Sequence, residues 1–449
     1  MLGAFLNVLK VSDLRKKIFF TSALIAVYRL GSYIPTPGID SKALAAFFEN
    51  LAKTRGGTLF GVMNMFTGGA MERLTIFALG IMPYISASII LQLLTVVIPY
   101  LEKLAKEGGE LGRRKLTQYT RYGTIVLSLI QSFFIALWLE NPAHFMGTQM
   151  VQSPGWWFRI VTVITLCSGS AFIMWLGEQI TEKGIGNGIS LLITAGIISR
   201  LPAAAGQLFA LVSILQPSRS QIPLYRVGLM TVIGFLVVLG VVMITQGQRK
   251  IPIQYAKRII GRRIYGGQAT YIPIRVNHAG VIPIIFAQSI LLFPATIAGF
   301  IPNQAVQSFA NFFMRGQAMY SVLYAGLIIF FTYFYTAITF NPIDVADNMK
   351  KYGGFVPGIR PGRPTAEFFA YVLDRVTLPG AIFLAIIAVF PDIIGAWFKV
   401  PYLIASFFGG TALLIVVGVM LDTMKQIESQ LLMHHYDGFM KGAHLKARR

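Results

Sequence analysis

The side chains of this sequence that could carry out covalent or metal chemistry are few and scattered. The string Gly188-Ile189-Ser190-Leu191 has the GxSx pattern of a serine nucleophile, which needs a histidine base. Of the five histidines only His278 lies beside a long apolar segment, so a turn followed by a helix-start serine explains the string better than an intramembrane protease does. His434-His435 could bind a metal, but adjacent residues point apart on a helix. Because HExxH and Gly-Lys-Ser/Thr motifs are also absent from the sequence, we predict no catalytic residue, no metal site and no cofactor.

Ionisable side chains, which ion-coupled carriers need inside the membrane, are scarce in the long apolar segments. Arg29 and Arg200 lie within such segments, and Glu178 lies near the end of one, where an interfacial carboxylate is the simplest interpretation. An inverted-repeat secondary transporter for a small solute is the alternative function. It predicts a charged or polar site at the membrane midplane, and these segments offer none.

The elements that position these side chains follow from the composition. Among the 449 residues 13% are charged and 55% are apolar, and the formal net charge is +21. Soluble globular domains have about 25% charged residues, so this chain has too little polar surface for a water-soluble particle. The single cysteine, Cys167, excludes an intramolecular disulfide. The composition predicts an all-α membrane protein.

Ten apolar segments are long enough for helices that cross a hydrocarbon core, which takes about 20 residues each. The fifth is interrupted by Arg200 and Pro202. Ten spans place most of the 39 Lys and Arg residues on the side of both termini, whereas omitting the fifth would move the cations of residues 247–275 to the other side. We therefore predict ten spans with both termini in the cytoplasm, at residues 18–36, 74–98, 121–140, 158–180, 188–215, 225–246, 276–300, 319–341, 376–398 and 402–421.

Ten spans divide into two sets of five. An odd number of spans per set lets the second half enter the membrane in the opposite sense, as in proteins built from inverted repeats. The span count alone leaves this arrangement open. The halves would be residues 1–215, with spans one to five, and residues 216–449, with spans six to ten and a cytoplasmic tail at 422–449.

Residues 58–73 are apolar, rich in glycine and methionine, and too short to cross a membrane. They precede the second span on the outer side, where an exposed apolar segment is unfavourable unless it packs into a cavity. The pattern allows a re-entrant or interfacial segment, which is the simpler interpretation, or a movable stopper.

Two predicted cytoplasmic loops, residues 247–275 and 342–375, carry paired cations with interleaved tyrosines, glycines and prolines. The positive-inside bias explains part of this charge. Paired cations and aromatic side chains also suit docking to phosphates or to an acidic protein, and Arg360 would stand on a stiff Gly/Pro turn. Binding of lipid headgroups is the competing use.

Several long strings resemble the SecY/Sec61-alpha family of protein-conducting channels. They lie at residues 80–88 (GIMPYISAS), 112–115 (GRRK) with 119–122 (YTRY), 175–180 (WLGEQI), 184–190 (GIGNGIS) and 355–362 (FVPGIRPG). Because these unusual strings are widely spread, the resemblance covers essentially the whole chain.

The resemblance implies an hourglass channel between two inverted five-helix halves, which carries unfolded secretory polypeptides and releases hydrophobic segments sideways into lipid. A lateral gate would lie between spans two and three on one side and seven and eight on the other. The implied plug, near residues 60–72, includes Phe60, Met63, Asn64, Met65, Phe66, Gly68 and Gly69. The implied apolar pore ring consists of Ile81, Ile85, Ile189, Ile193, Ile285 and Ile415, with Ile282 and Ile284 as close competitors of Ile285.

The same resemblance implies partners and a location. The partners are SecE and SecG subunits, the SecA ATPase, the ribosome with its RNA, signal peptides, unfolded polypeptides and membrane lipids. The location is the bacterial cytoplasmic (inner) membrane. The residues that would dock the motor or the ribosome are Arg249, Lys250, Lys257, Arg258, Arg262, Arg263 and Arg360.

Overall fold

The structure is a computed structural model that describes residues 11–53, 64–106, 108–145, 148–212, 223–255, 258–260, 263–265, 269–300, 318–398 and 400–442. These residues are mostly helical. In chain order the helices are α1 (Ser12–Gly31), α2 (Ser41–Lys53), α3 (Met82–Val97), α4 (Pro99–Lys106), α5 (Gly109–Glu140), α6 (Trp156–Lys183), α7 (Gly188–Ser199), α8 (Leu201–Val212), α9 (Leu224–Gln246), α10 (Ile282–Phe300), α11 (Ala318–Thr339), α12 (Pro342–Lys351), α13 (Arg363–Phe398), α14 (Tyr402–Phe407) and α15 (Gly410–Gly442).

The chain forms two compact units. The first comprises Met1–Ala210 and Val419–Arg449, and the second comprises Leu211–Gly418. Helices α1 to α7 therefore belong to the first unit, and α9 to α14 belong to the second.

Small and hydroxylated side chains form the packed face of α5 in the first unit. Thr124, Ser128 and Ser132 recur every fourth residue and are buried, and the Ser128 hydroxyl lies 3.1 Å from the Cys167 sulfur of α6. Side chains of this size let two helices approach closely in an apolar environment, and their hydroxyls hydrogen-bond to the preceding turn. The row holds α5 against its neighbours without costing an unpaired polar group.

Ion pairs join α5 and α6 near both ends. The Arg121 guanidinium lies 2.8 Å from the Glu178 carboxylate, and Arg159 lies 2.6 Å from Glu140. Glu178, which stood out near the end of an apolar segment, is therefore paired with Arg121. The pairs also fix the register between the two helices.

The amphipathic helix α2 covers an apolar cluster of the first unit. Leu44 and Phe48 are buried there with Phe145 and Met150, and the Phe47 ring meets the Phe145 ring edge-on at 4.9 Å. The apolar face of α2 is therefore already covered, which explains how a short amphipathic helix is stable beside the longer apolar ones.

The second unit contains two small antiparallel sheets. One has the strand order β4-β1-β5, formed by Ala269–Arg275, Gln248–Tyr255 and Gly354–Phe355, and the other pairs β2 (Arg258–Ile260) with β3 (Arg263–Tyr265). Ile251 and Ile253 of β1 and Ile274 of β4 are buried against Phe369 of α13, whereas Arg249 on the same strand is exposed. The larger sheet is thus a half-buried platform with its cations outward.

These strands correct the expectation of an all-α protein. Residues 247–275 contain isoleucines at alternate positions, which is the pattern of a strand with one buried face. The prediction from sequence overlooked this pattern because it rested on the cation pairs at 249–250, 257–258 and 262–263. The protein is mostly helical, and the β-strands of the described residues lie in the two predicted cytoplasmic loops, 247–275 and 342–375.

Seven described helical segments are long and apolar enough to cross a membrane, or eight if the bent pair α3 and α4 counts as one span. The seven are Gly109–Glu140, Trp156–Lys183, Gly188–Val212, Leu224–Gln246, Met319–Lys351, Arg363–Phe398 and Leu403–Met433. Helices α1 and α10 are not among the seven. Helix α1 carries Arg15, Lys16 and Lys17 in its first turns, and the apolar segment found in α10, Ile282–Leu291, is shorter than a span. The fifth predicted span, which Arg200 interrupts, is one of the seven.

The predicted start of the second span at residue 74 is wrong. Residues 74–81 form successive turns, and α3 begins only at Met82, with Pro83 in its first turn. Leu74 and Gly80 have φ values of +40° and +56°, which a right-handed helix does not contain. Helix α3 then meets α4 at a bend of 101°.

Candidate functional site

The apolar segment ahead of α3 is packed into the first unit. We call residues 64–81 the anchored segment; Phe60 and Met63 of the predicted plug lie outside the described residues. Met65, Phe66, Met71 and Phe77 are buried, and Ala70 is fully enclosed. The apolar surface that would be unfavourable in water is therefore covered by protein.

A side-chain clasp closes the first turns of the anchored segment. The Asn64 amide nitrogen donates to the Glu72 carboxylate at 2.9 Å, and the Glu72 backbone N–H donates to the Asn64 amide oxygen at 3.0 Å. The Gly69 N–H donates to the Asn64 carbonyl at 2.9 Å. Gly68 and Gly69 have φ values of +65° and +92°, so the tight turn between the clasped residues suits glycine.

Two arginines from the surrounding helices reach the same segment. Arg200, at the junction of α7 and α8, places its guanidinium 2.8 Å from the Glu72 carboxylate. Arg29 of α1 donates to the Gly68 carbonyl at 3.4 Å, and its guanidinium also lies over the Tyr33 ring. The two cations that stood out within apolar segments of the sequence are thus both directed at the anchored segment.

The backbone of the anchored segment is hydrogen-bonded to the residues that follow α1. The Thr36 N–H donates to the Leu74 carbonyl, and the Ile76 N–H donates to the Ile34 carbonyl, both at 3.0 Å. Leu74, held by the first of these bonds, is the non-glycine residue of positive φ among the described residues. This conformation is unfavourable for a bulky residue such as leucine, so the surrounding contacts must stabilise it.

Close packing fixes the segment on its other sides. A β carbon added to Gly68 would lie 3.0 Å from the backbone of Gly196 on α7, and one added to Gly196 would lie 2.7 Å from the Phe66 carbonyl. The Phe77 ring stacks on the rings of Tyr28 and Phe172, with centroids 5.9 and 6.1 Å apart. We call the surface of the first unit that contacts the anchored segment the seat. These contacts make the seat specific in shape, since neither glycine leaves room for a side chain.

Four predicted ring residues belong to the first unit and lie in two pairs spaced four residues apart. Ile81 and Ile85 stand at the start of α3, and Ile189 and Ile193 stand at the start of α7. In each pair one residue is buried, Ile81 or Ile193, and the other is half-buried. A four-residue spacing puts both members of a pair on one helix face, as a ring requires.

The two other predicted ring residues belong to the second unit. Ile415 on α15 is buried and Ile285 on α10 is half-buried, as is Ile282, whereas Ile284 is fully buried. Burial does not decide between Ile284 and Ile285, because Ile415, which is also a predicted ring residue, is as deeply buried as Ile284. The common axis of the six isoleucines stays a prediction.

The predicted docking cations lie on the sheets and turns of the second unit. Arg249 and Lys250 are exposed on β1, and Arg258 and Arg263 lie on the β2–β3 hairpin; Lys257 and Arg262 lie outside the described residues. Arg360 is exposed on a turn between Gly358 and Gly362, whose φ values are +82° and +104°. The Thr365 hydroxyl donates to the Arg360 carbonyl at 2.8 Å, which stiffens the turn.

The serine of the GxSx string lies at a helix start. Asn187 caps α7 by accepting from the Ser190 N–H at 3.2 Å, and the Ser190 carbonyl accepts from the Thr194 hydroxyl at 2.8 Å. This is the geometry of a capped helix. Among the described residues no group of three or more His, Cys, Asp or Glu side chains could hold a metal ion.

Sequence reasoning missed the partners of Arg29 and Arg200. Glu72 is the acidic residue within residues 58–73, and Arg200 is a cation inside an apolar segment. A lone acid in an apolar segment and a lone base in another indicate a pair, because each is unfavourable alone in a membrane. That signal could have found the contact.

Comparisons with known proteins identify the family of the chain. The SecY family profile matches residues 75–424. The chain is 47% identical to the protein translocase subunit SecY of Mycobacterium tuberculosis H37Rv over 98% of this chain and 100% of that protein, and 47% identical to the one of Escherichia coli K12 over 97% and 96%.

Solved channel structures share the fold. The chain is similar to the structure of a protein conducting channel (TM-score 0.63, 16% identity, 96% of this chain and 94% of that chain). It is also similar to a SecY whose plug domain stabilises the closed state and maintains a membrane seal (TM-score 0.61, 17% identity, 96% and 94%). A third match is Sec61 in the canine ribosome–channel complex (TM-score 0.58, 17% identity, 96% and 94%). The family profile and the full-length relatives together show that this chain belongs to the SecY family.

Proposed function

We propose that this chain is the channel through which unfolded polypeptides cross a membrane and from which hydrophobic segments pass sideways into lipid. The observation that carries the proposal is the full-length identity of 47% to protein translocase subunits. The chain is a multi-pass membrane protein and not an enzyme. The comparisons give no support to the alternative of a small-solute transporter.

The physical requirement for such a channel is a wet path with a dry constriction. A passing backbone needs hydrogen-bond partners that hydrocarbon cannot supply, at several kcal/mol for each group, so the path must contain water. A ring of apolar side chains seals by dewetting when the path is empty and yields when a chain fills it. Isoleucine suits this ring because its side chain forms no hydrogen bond.

We assign the ring to Ile81, Ile85, Ile189, Ile193, Ile285 and Ile415, within ten spans arranged as two inverted halves, residues 1–215 and 216–449. The pairing of Ile81 with Ile85 and of Ile189 with Ile193 on two helix faces supports this assignment. Spans two, three, seven and eight would form the lateral gate. Lateral release then follows from partitioning, because an apolar residue such as leucine favours the membrane by about 0.3–0.6 kcal/mol and a central charge costs about 2.5–3.5 kcal/mol.

The anchored segment would be the base of the plug. Its burial, its clasp and its two arginine contacts support a stopper held in a defined seat. The plug domain of the similar SecY, which stabilises that protein's closed state, gives the proposal a precedent.

The exposed cations of the second unit would bind the machinery that drives transport. The chain has no phosphate-binding loop of its own, so a motor or a ribosome must supply the force. Arg249, Lys250 and Arg360 would present exposed positive charge to ribosomal RNA or to the SecA ATPase. SecE and SecG would be the companion subunits, the bacterial inner membrane the location, and the cytoplasm the side of both termini.

Site-specific crosslinking of a stalled secretory chain tests the proposed function. A photoreactive probe at Ile85 should crosslink to the stalled chain only when that chain carries a signal sequence. A probe at Ile90 is the matched control, because Ile90 lies on the same helix but is exposed. No crosslink at Ile85, or equal crosslinking at Ile85 and Ile90, would contradict the channel assignment.

A further inference from the structure

We propose that the ion pair between Glu72 and Arg200 is a latch that holds the anchored segment in its seat and thereby sets how strictly the closed channel excludes ions and unsignalled chains. The proposal rests on the proposed function of the segment as the base of a plug. One charge pair of this chain thus positions the plug and determines how strictly the closed channel excludes ions and unsignalled chains.

The latch joins two parts of the chain that are distant in sequence. Glu72 belongs to the anchored segment, and Arg200 follows α7 at the break before α8, 128 residues later. The Glu72 carboxylate receives both Arg200 at 2.8 Å and the Asn64 amide at 2.9 Å. Asn64 also accepts a hydrogen bond from the Glu72 N–H, so Arg200 binds a turn that its own internal hydrogen bonds already hold rigid.

Arg200 depends on this contact more than Arg29 depends on its own. The guanidinium of Arg200 lies against Gly69, and its Nε is buried without a hydrogen-bond partner in the described structure. Arg29 makes only a long bond of 3.4 Å to the neutral Gly68 carbonyl, and its guanidinium also lies over the ring of Tyr33, just beyond the end of its own helix. If the segment moves away, Arg29 retains a partner whereas Arg200 loses its carboxylate.

The burial of the pair decides its effect. The side chains of Arg200 and Glu72 are 20% and 26% exposed, so water and salt screen their attraction only in part. Separation leaves two incompletely hydrated charges, which is the costly outcome for an ion pair of this kind. Water that enters an opened channel would hydrate both groups and lower that cost, so the latch favours the closed state and still permits opening.

Charge neutralisation and charge exchange test the latch in the full chain, reconstituted with its co-purified subunits into vesicles. Two readouts are measured: ion conductance without substrate, and export of a reporter with a defective signal sequence. Removing one partner of a partly buried pair should raise both readouts roughly tenfold in Glu72→Gln and in Arg200→Gln. The double exchange Glu72→Arg with Arg200→Glu should restore both readouts in part, because the attraction is reformed while the hydrogen bond from the Asn64 amide to residue 72 is lost.

Glu140→Gln is the matched control. It breaks the Arg159–Glu140 pair, which is similarly shielded at 27% and 10% exposure but has no atom in the anchored segment. A thermal unfolding midpoint is measured for every variant, and Glu140→Gln should lower it without raising conductance. If a single variant does not fold, Glu72→Gln with Arg200→Gln replaces it, since that double variant buries no unpaired charge and should still leak.

The outcomes separate the latch from the channel. Native tightness in Glu72→Gln and Arg200→Gln, or a double exchange that leaks as much as the single variants, overturns the latch. If Ile85→Asn leaks in the same assay while Glu72→Gln does not, the latch is wrong and the channel stands. If the native chain does not export a reporter with an intact signal sequence, the proposed function itself is wrong.

Discussion

Arginine has opposite roles in the two regions that matter most for this protein. Beside the anchored segment of the first unit, Arg200 is mostly shielded and lies 2.8 Å from the Glu72 carboxylate. On the turn of the second unit, Arg360 is exposed, and the structure gives its side chain no ion pair among the described residues. The difference shows that position, not residue type, decides whether a cation stabilises the protein internally or is available to a partner.

The two regions also differ in what makes them rigid. The anchored segment is defined by close packing, with Gly68 against Gly196 and Phe77 between two other rings. The turn around Arg360 is defined locally, by two glycines of positive φ and the Thr365 hydrogen bond. A change of shape should therefore damage the first region, and a change of charge should damage the second.

The largest effect should come from Gly196→Ala. The added β carbon would lie 2.7 Å from the Phe66 carbonyl, a backbone atom that cannot turn away, and overpacking of this kind costs about 1–3 kcal/mol. We expect the empty reconstituted channel to conduct ions roughly 10- to 100-fold more than the native protein, because the segment no longer fits its place in the first unit.

Gly206→Ala is the control for Gly196→Ala. Gly206 lies in α8, and a β carbon there would meet nothing within 4 Å. This substitution should leave conductance unchanged and raise the free energy of unfolding slightly, because alanine has the higher helix propensity. If Gly206→Ala leaks as much as Gly196→Ala, the seat has no special role in the seal.

Seven of the ten predicted spans coincide with described helical segments that are long and apolar enough to cross a membrane, because hydropathy over about 20 residues is a strong signal. It failed at residues 74–81, where an apolar segment is buried in turns. Hydropathy reports burial in an apolar environment, and it does not distinguish a span from a segment packed inside protein. The positive φ values of Leu74 and Gly80 record tertiary contacts that no local pattern specifies.

The candidate site was predictable in its residues but not in its contacts. Resemblance to the SecY family supplied Asn64, Gly68 and Gly69, and the structure places all three in one packed turn. The bond between Glu72 and Arg200 spans 128 residues, so local sequence patterns do not predict it, and the available signal is that each residue is a lone charge in an apolar segment. The strand that carries Arg249 was missed for a simpler reason. Its sequence, QRKIPIQY, has only two isoleucines at alternate positions, beside two cations and a proline.

An intermediate effect is expected from Arg360→Glu. Reversal of an exposed charge should weaken binding of the motor or the ribosome by roughly tenfold at low salt, and raised salt should reduce the difference from the native protein. Expression and the empty-channel conductance should stay normal, because the side chain supports neither seat nor core. Binding is measured by co-sedimentation over a salt series. A salt-independent loss would contradict electrostatic docking.

The smallest effect should come from Glu110→Gln, and it isolates burial as the deciding variable. The Arg114–Glu110 pair has the same 2.8 Å separation as the Arg200–Glu72 pair, but its side chains are 74% and 80% exposed. Exposed pairs contribute about 0–1 kcal/mol, and i,i+4 helix pairs about 0.3–0.5 kcal/mol, so conductance and export should not change and the unfolding midpoint should move little. Comparison with Glu72→Gln in the same vesicles then holds distance and chemistry constant. If Glu110→Gln leaked like Glu72→Gln, the leak would follow from loss of any negative charge on this basic chain, and the shielding of the seat would explain nothing.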